Sequence, residues 1–209
     1  LAFKPIDAAT SCISRSRELL VASQLPAVAL VSEDMIRSAL VMTVGAMDSY
    51  MHWLVYQEIT EVSKDQGGLP KKLANLDVPF SELASLADAV LEGRREQRDT
   101  RPWVQVKNAT QRRLLRETFQ SYEQVAGAMA MAGISKGWTR TAKQLNTTSD
   151  AIKTKLNQIV HRRNQIVHEG DIARGSRPRK VKLSVINHAS VSDDVTWMES
   201  LINGIEAIR

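Results

Sequence analysis

Apolar residues recur at three- and four-residue steps along most of the chain, the period of helices with one buried side. Ile36, Leu40, Val44, Met47, Met51, Leu54 and Val55 keep that step. They predict one long helix over 32–62, opened by Ser32-Glu33-Asp34 with acid in its first turn. Before it, 5–23 reads as a helix with Ile13, Leu19, Leu20 and Leu25 on its apolar side. Pro26 either interrupts that pattern or stands in the first turn of the next element. Gly67, Gly68, Pro70 and Pro79 mark a loop, and Ser81-Glu82 caps a helix that runs to about Leu91.

A helix from Pro102 carries Trp103, Val106, Leu114, Leu115, Phe119 and Tyr122, with Asn108-Ala109-Thr110 as an alternative start. The segment 127–137 is rich in Ala, Met and Gly and ends in a turn before Trp138, after which 139–145 predicts a short helix. Residues 146–149 cap a helix over 150–167, which Glu169-Gly170 stop. Val181, Leu183 and Val185 alternate with Lys182 and Ser184, which predicts a brief strand. Asp193-Asp194 then opens a last helix with Trp197, Leu201, Ile202, Ile205 and Ile208 on one side. The expected fold is an all-α helical bundle with a minor β element near the C-terminus. A single domain spans 1–209, with an insert or loop at 65–80 and an elaboration at 171–209.

The 209 residues, 43% of them hydrophobic, suffice for a well-buried core. One cysteine, Cys12, excludes an internal disulfide framework and a thiolate-rich metal site, and fits a reducing cytoplasm. Residues 1–7 lack the basic start and apolar run of a secretory leader. The most apolar stretch, 39–59, contains Asp48, His52, Gln57 and Glu58, so it reads as a core helix and not a membrane span. Four histidines, at 52, 161, 168 and 188, are too scattered to form a metal cluster, and no cofactor motif is present. The formal charge of +5 is unevenly placed. One cluster holds Arg94, Arg95, Arg98, Arg101, Lys107, Arg112, Arg113 and Arg116; another holds Arg174, Arg177, Arg179, Lys180 and Lys182. Each fits a solvated face or a polyanion such as RNA.

Candidate chemistry concentrates in His161-Arg162-Arg163-Asn164-Gln165-Ile166-Val167-His168-Glu169-Gly170. Ile152, Leu156, Ile159, Arg163 and Ile166 follow steps of four, three, four and three, which puts Arg163 where an apolar residue belongs. An unpaired charge there is costly. Asp48, mid-way along the long apolar helix, is equally out of place, so an Arg163–Asp48 ion pair is one reading. The other is a face that meets an anionic ligand or a second subunit. Asn164 and His168 share a helix face. Arg163 and His168 lie roughly 140° apart round the helix and about 7.5 Å apart along it. This spacing favours a site completed across a two-fold dimer. His168 suits general acid–base work on an RNA backbone, and Arg163 suits stabilising charge on phosphorus. Attack by the 2′-hydroxyl leaves a 2′,3′-cyclic phosphate and needs no metal. His161, on the same face as His168, either assists or sits in solvent.

At these residues the chain resembles the HEPN superfamily. Its signature is an arginine followed by a polar residue, then a histidine after four to six intervening residues. Arg163-Asn164-Gln165-Ile166-Val167-His168 has that form, and the continuation Glu169-Gly170-Asp171 is similar to the prokaryotic RiboL-PSP-HEPN members. Met47-Asp48-Ser49-Tyr50 on the early helix is also similar, with Asp48 matching an acid often found there. The resemblance covers 8–208. It implies a HEPN-like bundle and a metal-independent endoribonuclease acting as a homodimer, with Arg163, Asn164, His168 and Asp48 in its site. It implies a toxin or antiphage effector in the cytoplasm, with RNA as substrate and a cognate antitoxin or sensor as partner. The alternative is a non-catalytic binding or antitoxin-like module. A third reading, a DNA-binding helix-turn-helix over 138–167, uses Lys153, Lys155, Arg162 and Arg163.

Overall fold

The structure is a computed structural model that describes residues 3–65, 68–96, 102–173 and 180–209. Its centre is α2, Ser32–Asp65, which the apolar stripe predicted. Ile36, Leu40, Val44, Met47, Met51, Leu54 and Val55 are all buried. So are Ala39, Ala46 and Tyr50, so the helix is covered on more than one side. Helix α1, Pro5–Ala22, packs along it, with Ile13 and Leu20 buried. Their contact is close because Ser16 is small and its hydroxyl donates to the carbonyl of Ala39 at 3.0 Å. Pro26 begins a 3-10 turn, Pro26–Val31, that leads into α2.

Three short helices come next: α3, Lys71–Ala74; α4, Phe80–Arg95; and α5, Pro102–Leu114. The expected helix from Pro102 to Tyr122 is thus two helices, because α6 is Tyr122–Met131. The break has a local cause. Ser121 and Gln124 form a reciprocal capping box that starts α6 afresh. Helix α7 is Gly137–Gln144 and α8 is Ser149–Glu169. The Thr148 hydroxyl caps α8 by accepting from the N–H of Ala151 at 3.1 Å. Helix α9, His188–Glu206, begins five residues before Asp193, because Asn187 is its cap and accepts from Ser190 at 3.2 Å. It buries Met198, Leu201, Ile202 and Ile205, and packs on α1, α2 and α7.

The bundle is all-α, and the expected minor β element is absent: no strand occurs among the described residues. Ile172 and Leu183 form one antiparallel bridge, and two backbone bonds of 2.8 Å flank it, Ala173 to Lys182 and Ser184 to Asp171. The alternation in 181–185 has no core to cover. Val181 and Val185 are 77% and 92% exposed. Its facing segment starts in the capping turn of α8, so the ladder does not extend. Among the described residues no single helix is long and apolar enough to cross a membrane.

Candidate functional site at the end of α8

Ile152, Leu156, Ile159 and Val160 bury the first three turns of α8. The last turns emerge. Arg163, Asn164 and Ile166 are half-buried, and Val167, His168 and Glu169 are exposed. Gly170 stops the helix at φ +62°, a conformation that suits glycine, and Asp171 comes after it at φ +57°. The N–H of Asp171 returns to the carbonyl of Gln165 at 3.0 Å.

That end is held by a buried ionic knot. Asp171 is 2% exposed and Arg37, from α2, is 5% exposed. Arg37 Nε donates to Asp171 Oδ2 at 2.6 Å, while Arg162 grips both Asp171 oxygens. Arg37 also reaches Asp34 (3.2 Å), Glu33 (3.1 Å) and the carbonyl of Ser184 (3.0 Å). Burial works to raise the Asp171 pKa, but the hydrogen bonds from Arg162 and Arg37 outweigh it and hold the carboxyl below its ordinary value. The knot fixes the exit of α8 against the start of α2. Its signal in the sequence was Arg37 itself, a charge beside Ile36 and preceded by Glu33 and Asp34.

Arg163, Asn164 and His168 stand on the last two turns of one helix, and no hydrogen bond or ion pair joins Asp48 to them. Arg163 makes no ion pair with Asp48. Its Nη1 donates to Asn164 Oδ1 at 2.9 Å, and its Nε is buried with no hydrogen-bond partner among the described residues. Asp48 accepts from the N–H of Phe119 at 2.5 Å and lies 3.9 Å from His52 Nε2. It therefore anchors the link between α5 and α6. The buried carboxylate of this region is Asp171, and the arginine that takes it is the neighbouring Arg162.

The cations of the helix-turn-helix reading are mostly engaged. Lys153 pairs with Glu123 at 3.0 Å, Lys155 with Asp194 at 2.5 Å, and Arg162 with Asp171. His161 is exposed. In the basic clusters, Arg112 pairs with Glu82 and Arg113 with Glu117. Arg98, Arg101, Arg174, Arg177 and Arg179 lie outside the described residues. A groove of about 780 Å³ opens beside the end of α8, lined by Arg15, Glu18, Met42, Ile166 and Gly170 among others. Arg163, Asn164 and His168 do not line it. No group of three or more His, Cys, Asp or Glu among the described residues is placed to hold a metal ion.

Chemically, the end of α8 offers a fixed guanidinium, an amide beside it and an open imidazole about one and a half turns on. Comparison of the chain with family models, with curated proteins and with solved structures finds no match.

Proposed function

We propose that the protein is a metal-independent endoribonuclease whose site is Arg163, Asn164 and His168. The observation that carries this is Arg163. It stands half-buried, its Nε without a hydrogen-bond partner among the described residues, held by an amide rather than a carboxylate, five residues before an exposed histidine. A guanidinium so placed keeps donors for a phosphate oxygen. The form of the Arg163–His168 motif supports the same reading.

In this reaction His168 takes the proton of a ribose 2′-hydroxyl, and the oxygen attacks the adjacent phosphorus. The bond from phosphorus to the 5′-oxygen breaks, and that oxygen receives a proton. The products are a 2′,3′-cyclic phosphate and a 5′-hydroxyl. In a homodimer the proton comes from His168 of the partner subunit, so two copies divide the acid and base roles. Arg163 stabilises the charge that builds on phosphorus. As a toxin or antiphage effector, the enzyme acts on RNA in the cytoplasm and is restrained by a cognate partner. Asp48 holds the N–H of Phe119 and makes no bond to these three residues.

The test is cleavage of end-labelled RNA in EDTA by the wild-type protein and by His168→Ala. Because His168 is exposed, the variant keeps its fold and melting temperature. The expected loss is roughly 10²- to 10⁴-fold, with cyclic-phosphate ends in the wild type only. Arg163→Ala loses about 10²- to 10³-fold. Equal cleavage by His168→Ala rejects this site. RNA bound without cleavage by either protein favours the binding module.

A further inference from the structure

Helix α4 has two apolar faces, and the chain covers one. Glu82 holds Arg112, Leu86 shares a crevice with Val106 and Ala109 of α5, and Gly93 is buried. Phe80, Ala84, Ala87 and Leu91 keep steps of four, three and four along the other side. That side lies more than about 120° round the helix from the first. Phe80 is 82% exposed and Leu91 52%, whereas Leu83 lines the crevice towards α5. A helical stripe with this period belongs against another helix; here Phe80, Ala87 and Leu91 stand exposed and Ala84 is half-buried.

We propose that the stripe is an interface between two copies of the chain, with α4 packed antiparallel on α4 about a two-fold axis. The helix is complementary to its own reverse. With the axis between Ser85 and Leu86, Phe80 of one copy meets Leu91 of the other at each end. Ala84 meets Ala87 in the middle, where small side chains let helices approach. Arg94, one turn beyond the stripe, then lies at the same rim as Asp77, which stands three residues before the start of α4 in the other copy. Both are exposed, and neither has an ion-pair partner among the described residues. Large side chains close the ends, small ones the centre, and opposite charges the rims. An RNA strand matches none of these three pairings. The interface does not involve α8 and does not rest on the proposed reaction.

The test is the solution mass of the full chain by light scattering, with thermal melts to verify folding. Leu91→Glu and, independently, Ala87→Arg are expected to halve the assembly mass, with self-association weakened at least tenfold. Asp77→Arg alone and Arg94→Asp alone weaken it too, and the double variant D77R/R94D restores it. A wild-type chain of single mass overturns the proposal. So does a mass that none of these variants changes, or a double variant no better than either single one. RNA cleavage assayed beside the mass separates this interface from the site on α8. A variant that halves the mass and still cleaves supports the interface whatever the fate of the nuclease reading.

Discussion

The end of α8 and the outer side of α4 both invert the usual sorting of side chains, in opposite directions. At the first, Arg37 and Asp171 are charged and all but fully buried. At the second, Phe80 and Leu91 are apolar and largely exposed. A misplaced residue carries a free-energy cost, so what offsets that cost tells what the region is for. At α8 the offset lies within the chain. Two arginines and a carboxylate satisfy one another and lock two distant segments together. On α4 nothing in the described chain provides it, so that region points outward. The first exception serves the fold, and through it the placing of His168. The second serves assembly.

The comparison breaks most readily at Asp171. Asp171→Asn removes the charge and leaves Arg37 buried without its nearest counter-ion, at a cost of about 3–5 kcal/mol. The melting temperature should fall by on the order of 10 °C. Acid should reproduce the loss. The folded Asp171 binds its proton less readily than the unfolded chain does, so its contribution is complete above the ordinary value of 3.8. It is lost as the pH falls below that value, through the lower folded-state pKa. The gap between wild type and variant should therefore narrow in acid. Melts at neutral pH and near pH 3 check this, and a constant gap would show that the knot does not hold α8.

A smaller effect is expected at Gly170. Its φ of +62° costs little for glycine and strains an alanine. Gly170→Ala should cost about 1 kcal/mol. Because the residue lies between His168 and Asp171, cleavage should suffer more than stability does. Equal activity at equal stability would mean that His168 needs no fixed helix end.

Much of this was legible in the sequence where one helix decides the outcome. The start and stop of α8 are set by the polar run at 146–149 and by Gly170. The relative placing of Arg163, Asn164 and His168 comes from their spacing alone. The long stripe of α2 was equally plain. What failed depended on contacts far apart in the chain. Arg37 and Asp171 are 134 residues apart, and periodicity pointed to Arg163 where Arg162 is the partner of the buried acid. Phe119 continued the apolar pattern of α5, yet it is buried from a link whose N–H is held by Asp48. Strand alternation in 181–185 was real, but a strand needs a neighbour of equal length. The helix that became α4 was legible from its polar start at Ser81-Glu82, with no sign of which side the chain leaves bare.

The finest test sets two leucines against each other. Leu54 of α2 is 2% exposed and Leu91 of α4 is 52% exposed. Leu54→Ala leaves a cavity in a packed core and should cost about 2–5 kcal/mol at any protein concentration. Leu91→Ala, in a dilute single chain, removes a side chain that water already reaches and should change stability by no more than about 0.5 kcal/mol. At concentrations where two copies pair, the same substitution should lower the melting temperature, because it weakens binding that favours the folded state. Chemical denaturation at two widely separated concentrations reads both effects. A large and concentration-independent cost at Leu91 would mean that the chain itself covers the stripe, and α4 would then obey the ordinary sorting of side chains after all.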